Sequence, residues 1–145
     1  MNTLTINKKI QINASPLVVF DAITDPNKIT GYYPIDSVRS EGVVGGSIIF
    51  SGKNDGQTFT DYGTIESFNS PHEFSYTYWS DNHGTERTPE NHMTIQYILS
   101  GDKNLTTLIL KHENLLTDER RTTMNNVWDF LLNQLKVYAE SNVWK

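Results

Sequence analysis

At 145 residues with a formal net charge of −5, the chain is long enough to bury a sizeable core. It is too acidic to offer the clustered Lys and Arg that duplex nucleic acid demands. With no cysteine it can form neither disulfides nor thiolate metal sites, and its 11% aromatic content, with no run near ~18 apolar residues, argues against both disorder and a membrane partner.

The first predicted element is a strand. Leu4, Ile6, Lys8, Ile10 and Ile12 share one parity and give a mostly apolar face. Met1 to Ile12 holds no apolar core of a secretory signal, so a cytoplasmic location is expected. Ser15-Pro16 marks a helix start, because the serine oxygen accepts from free amides and proline suits the first helical position. Val19, Phe20 and Ile23 lie at helical spacing and predict a helix over Pro16 to Thr24. Asp25-Pro26 repeats the signal for a short second helix, closed at Gly31.

From Asp36 to His112 the period changes to two. Six strands are expected over Asp36–Glu41, Ser47–Gly52, Thr58–Phe68, Glu73–Ser80, His92–Ser100 and Asn104–Glu113, with Gly, Asn, Asp and Pro in the connections. Each strand carries one apolar and one polar face, as a sheet with one wet side requires. Met124, Val127, Trp128, Leu131, Leu132, Leu135, Tyr138 and Ala139 then form one apolar stripe on a long helix that Thr117 or Asp118 can cap and that runs to Asn142. The expected fold is α+β, in the order β-α-α-β6-α, as one domain over residues 1–145: a curved antiparallel seven-stranded sheet wrapped on the C-terminal helix. A curled sheet does not seat flush on a straight helix, so a pocket is expected between them.

Several motifs in this order resemble the helix-grip, START-like superfamily, also called SRPBCC. Within it they are similar to the family named for the activator of the heat-shock-protein-90 ATPase. They are the stretch from Ala14 to Pro26, Gly45-Gly46 followed by Ile48 and Phe50, Gly63 with Ile65 and Pro71, Thr106 through Leu108, Leu110 and His112-Glu113, and Trp128, Leu132, Leu135-Lys136 and Tyr138. Relatives often carry tryptophan where this sequence has Tyr32-Tyr33 and Tyr78. Those positions line or gate the cavity in relatives, so the resemblance implies a more polar pocket here. Full co-chaperones of this name carry a further N-terminal chaperone-binding domain, for which this sequence has no room; the family name alone is therefore not a function.

The alternation points Ile48, Phe50, Ile65, Tyr76, Tyr78, Tyr97, Leu110 and Trp128 inward. Core packing explains most of them, but buried tyrosine hydroxyls require partners and suggest a wet pocket. With Tyr32, Tyr33, His112 and Leu132 they form the expected ligand-binding set. His112 paired with a tyrosine is the sharpest catalytic idea. Glu113, adjacent on the strand, points to the other face and cannot orient it. A structural histidine is the expectation. His83, Glu86 and His92 fit no zinc spacing, Gly42 to Gly46 leads into a strand rather than a helix, and no serine sits in a nucleophile elbow. The loop from Asp81 to Asn91 is long enough to act as a lid.

Phe130, Val137 and Trp144 recur every seven residues opposite the core stripe, which predicts a partner or homodimer seam on the outer face of the last helix. The expected function is binding of a small apolar or aromatic molecule, with no catalytic group, metal or cofactor. The alternatives are a cyclase or dehydratase of polyketide type, as among some relatives, and a stress-related or co-chaperone-like interaction module.

Overall fold

The computed structural model of the protein describes residues 4–54 and 56–141. A strand β1 (Thr5–Ile12) leads through α1 (Pro16–Thr24) and α2 (Pro26–Ile29) to six further strands: β2 (Ser37–Ser40), β3 (Ser47–Asn54), β4 (Gln57–Asn69), β5 (Glu73–Ser80), β6 (Met93–Asp102) and β7 (Leu105–Glu113). A long helix, α3 (Asp118–Ser141), follows. The start signals act as expected. Ser15 Oγ accepts from the Val18 amide at 3.2 Å, and Asp25 Oδ1 accepts from the Asn27 amide at 2.9 Å. Thr117 is the residue that caps α3, its hydroxyl accepting from the Arg120 amide at 3.1 Å.

The strands form one antiparallel sheet in the order β1-β7-β6-β5-β4-β3-β2. Hairpins join β2 through β7 in sequence, whereas β1 pairs with β7 at the far edge. The chain must therefore cross from one edge of the sheet to the other, and α1 and α2 make that crossing. The fold is a helix grip. Two features bend the sheet. In β4 the register slips between Ile65 and Ser67, a bulge that sharpens the local twist. Beside it Gly63 lets β3 and β5 approach closely, since a Cβ there would lie 2.8 Å from Thr77 O and 2.9 Å from Ile48 Cγ2.

Some expected boundaries shift. The edge strand β2 is shorter than its alternation suggested. The β6–β7 turn falls at Lys103-Asn104, two residues beyond the expected strand end, because Asp102 Oδ1 accepts from the Asn104 and Leu105 amides at 2.8 and 3.1 Å. Gly31 follows α2 not for an unusual backbone angle but for space: a Cβ there would meet the Tyr138 ring at 2.8 Å.

The core lies between the concave face of the sheet and the three helices. Phe20 of α1 meets Phe68 and Phe74 edge-on at 5.3 and 6.5 Å. Trp128, Leu131, Leu132, Leu135 and Ala139 of α3 are all buried. Val127, assigned to this stripe by its spacing, is instead 36% exposed, and Met124 and Tyr138 are half-buried. Among the described residues no helix is long and apolar enough to cross a membrane.

Candidate functional site

The sheet and α3 do not fit flush, but the mismatch is confined to one end. There a partly open cleft of about 360 Å³ lies between the first half of α3, the ends of β3, β4 and β5, and the chain after α2. Of the expected ligand-binding residues, Tyr33, Phe50, Tyr76, Tyr78 and Trp128 line it. Tyr33, Phe50, Tyr76 and Tyr78 form a continuous row of rings, with successive centroids 6.0, 5.7 and 6.2 Å apart.

The remaining expected residues do not line this cleft. Ile48, Ile65, Tyr97, Leu110 and Leu132 do face inward, yet they are buried in solid packing. Alternation reports which face a side chain takes, not whether the space above it is filled. Tyr32 turns towards the helices: its hydroxyl donates to Ala22 O at 3.0 Å, and its ring rests 5.4 Å from that of Tyr138.

His112 is also outside the cleft wall, fully buried behind it. Its partners fix its protonation by elimination. An indole N–H can only donate, so Trp128 Nε1 at 2.9 Å makes His112 Nδ1 the acceptor. The proton of the neutral ring then sits on Nε2 and is donated to the Tyr78 hydroxyl at 3.1 Å. Tyr78 in turn directs its own proton towards Met93 Sδ at 3.7 Å. Burial pushes the His112 pKa down to about 3, with His83 nearby acting in the same direction. The only basic lone pair of His112 is thus occupied, and its hydrogen bond to Tyr78 runs opposite to the one a general base would make. Glu113 is exposed, as the strand alternation required; it is Trp128, from α3, that orients the ring.

The sequence reading missed the polar side of the cleft. Asp61 of β4 stands opposite Phe50 on one neighbour and Ser80 on the other, and lines the cleft with Ser80, Asn82 and His83. Burial raises its pKa to about 6, and Asp81 adds to the rise. The Ser80 hydroxyl works against it, but that hydroxyl has one proton and also lies 2.6 Å from Asn82 Oδ1, so the compensation is partial. Asp61 in turn helps hold the Tyr33, Tyr76 and Tyr78 phenols above their ordinary range, where burial is the larger cause. In β4 Asp61 is the one charged residue in a row of Phe59, Gly63 and Ile65. Asp61 shares the inward parity of Ile65, so alternation could have found it; register adds only its neighbours Phe50 and Ser80.

The Asp81–Asn91 loop forms a wall of the cleft. Arg120 of α3 donates to His83 O at 3.1 Å, Trp79 Nε1 donates to Thr85 Oγ1 at 3.2 Å, and Arg87 sits 4.5 Å from the Tyr62 ring centroid. Anchored on three sides, it is tied down where the sequence suggested a lid. His83 Nδ1 is buried without a hydrogen-bond partner among the described residues, and burial lowers the ring's pKa to about 4. Among the described residues no group of three or more His, Asp or Glu side chains is placed to hold a metal ion. Phe130 and Val137 are 54% and 59% exposed on the outer face of α3, while Trp144 lies outside the described residues.

This combination of a seven-stranded grip, two crossing helices and a cleft at one end defines a START-like, SRPBCC-type domain. Residues 13–140 match the family described as Activator of Hsp90 ATPase homolog 1-like protein, and the chain belongs to that family. Its fold is shared by a protein of Cytophaga hutchinsonii known from a solution structure, with 27% identity over 98% of this chain and 97% of that one and a TM-score of 0.81. A Nitrosomonas europaea protein has 16% identity, coverage of 98% and 97%, and a TM-score of 0.79. The Aha1 dimer of Colwellia psychrerythraea has 22% identity, coverage of 94% and 96%, and a TM-score of 0.73. No curated protein matches the sequence.

Proposed function

We propose that the protein binds one small, largely apolar or aromatic molecule in the cleft beside Trp128, without taking part in its chemistry. The observation that carries this reading is the Tyr76 side chain. Its ring is buried in the aromatic row, while its hydroxyl opens onto the cleft and makes no hydrogen bond to another described residue. A phenol held this way is matched only by water or by a ligand. The volume of about 360 Å³ lies within the ~300–1,000 Å³ of small-molecule sites. His112 cannot serve as the base of a cyclase or dehydratase, because its one basic lone pair is held by the Trp128 indole.

Native mass spectrometry of freshly purified protein, and titration with the fluorescent apolar probe N-phenyl-1-naphthylamine, test the reading. Saturable one-to-one binding is expected. Asn82→Trp, which places an indole at the exposed mouth, should weaken it at least about tenfold, or ~1.4 kcal/mol. No co-purifying mass together with no saturable probe binding would remove the proposal.

A second reading concerns self-association. Phe130 and Val137 present a row of exposed apolar surface on α3, and one relative of the same fold is described as a dimer. We infer a homodimer seam there, distinct from the cleft. Light scattering at tens of micromolar should show twice the monomer mass, and a clean monomer refutes the seam.

A further inference from the structure

The cleft lining carries one carboxylate, Asp61, and one ammonium, Lys53, and the two do not pair. Asp61 sits in a lining made mostly of aromatic and aliphatic side chains, in register between Phe50 and Ser80. The ion pairs among the described residues join Lys8 to Asp129, Lys28 to Asp21, Arg121 to Asp118 and Lys136 to Glu140, so Asp61 has no cationic partner there. Lys53 lines the same cleft but lies beyond ion-pair distance of Asp61. Arg120 is turned to the backbone of His83. A carboxylate taken this far out of water is costly unless something supplies positive charge. The same cleft presents the rings of Tyr33, Phe50, Tyr76 and Tyr78, whose faces attract a cation that is stripped of water.

Resting on the binding reading above, we propose that Asp61 is the specificity-determining residue of the cleft and that the ligand class is a small organic cation, an ammonium group carried on an apolar or aromatic body. The ammonium would lie against the Asp61 carboxylate and the body would lie along the row of rings. The neutral amine and alcohol isosteres would leave Asp61 unmatched, and a carboxylate-bearing ligand would meet repulsion.

The groups that face Asp61 are Tyr76, Tyr78 and Ser80 of β5, Asp81 after it, Tyr33 before β2, and Lys53 of β3, with His83 on the loop wall. Asp61, whose pKa is raised to about 6, gains a proton between pH 7.5 and 5. His83, depressed to about 4, stays neutral throughout and adds no positive charge to the wall. A cation should therefore bind less tightly at pH 5 than at pH 7.5, while a neutral ligand of the same shape should not change.

Calorimetric titration with three probes of one size tests this: phenethylamine, which is cationic at pH 7.5, 2-phenylethanol, which is neutral, and phenylacetate, which is anionic. Phenethylamine should bind at least about tenfold tighter than 2-phenylethanol, a ratio worth ~1.4 kcal/mol, and phenylacetate should bind most weakly. In Asp61→Asn, an isosteric change that removes only charge, the amine and alcohol affinities should converge to within about threefold. Equal binding of amine and alcohol to the wild type, or a ratio unchanged in Asp61→Asn, overturns the assignment while leaving a ligand cleft in place. Binding of none of the three overturns the cation assignment, and N-phenyl-1-naphthylamine titrated into the same preparation then decides separately whether the binding reading survives.

Discussion

The two ends of the concave face are built from the same kinds of residue and come out differently. Under α1 and the second half of α3, Phe20, Phe68 and Phe74 meet edge-on, and Leu108, Leu110 and Leu135 fill the rest. Under the first half of α3, an equally aromatic set stands around open space. Composition cannot distinguish them. The crossing segment does, because α1 packs on β6, β7 and α3 in the first region, and nothing comparable among the described residues fills the space under the first half of α3. Hollow space in this fold is thus a matter of which part of the sheet has a second layer of cover.

The largest test of that contrast is a matched pair of truncations. Phe74→Ala removes a ring enclosed on every side and should cost about 3–5 kcal/mol in urea unfolding, the range for large core deletions. Phe50→Ala removes a ring with one face to the cleft, where there is less packing to lose, and should cost about half as much. Equal losses would mean that the cleft end is as tightly filled as the rest.

The next test is the Trp128–His112–Tyr78 chain, which joins the solid end to the hollow one. His112 is held neutral in the fold, with a pKa near 3 against about 6.5 unfolded. The unfolded chain therefore takes up a proton first as the pH falls. The contribution of the buried neutral ring is complete above about pH 6.5 and is lost progressively down to about pH 3. His112→Asn keeps an acceptor for Trp128 but has no proton to gain. The stability gap between wild type and this variant should shrink by about 2 kcal/mol from pH 7.5 to 5. The opposing slope of Asp61 is present in both proteins and cancels in the difference.

Asp61 provides a smaller effect of the opposite sign. A carboxyl whose folded pKa is raised from 3.8 to about 6 favours the fold below pH 4 and loses that contribution as the pH rises through 6. Asp61 keeps partial contact with solvent. Asp61→Asn should therefore stabilise the protein at pH 7.5 by about 1 kcal/mol, less than the full shift implies, and the gain should vanish at pH 4. Destabilisation by Asp61→Asn at pH 7.5 would mean that the carboxylate is matched within the protein.

The strands and helices were legible because their signals are local: Ser15-Pro16, Asp25-Pro26, and the change of period at Asp36. The aromatic half of the cleft was legible for the same reason, since Phe50, Tyr76 and Tyr78 announce their face by parity. Asp61 was missed for another reason. It shares the parity of Ile65, so alternation alone puts it on the inner face, but a carboxylate at an inward position of a sheet is not what burial statistics lead one to look for. The direction of the His112 hydrogen bonds was out of reach, because it depends on an indole from a helix sixteen residues later. Facing inward is a weaker property than lining open space, as Ile48, Ile65, Tyr97, Leu110 and Leu132 show, while Tyr32 and His112 are held off the cleft by their own hydrogen bonds.

The smallest effect concerns the surface that neither region uses. Phe130 is more than half exposed, and its replacement disturbs no core. Phe130→Ser should change the unfolding free energy by less than about 0.5 kcal/mol at low protein concentration. Concentration is what gives the measurement its edge. If two chains meet along α3, the wild-type melting temperature must rise with protein concentration, because association stabilises the folded state by mass action. The variant's must then stay flat. A wild-type melting temperature that is itself independent of concentration over two decades would assign Phe130 and Val137 to ordinary exposed apolar surface, and would leave the cleft as the only apolar feature of α3 in need of an occupant.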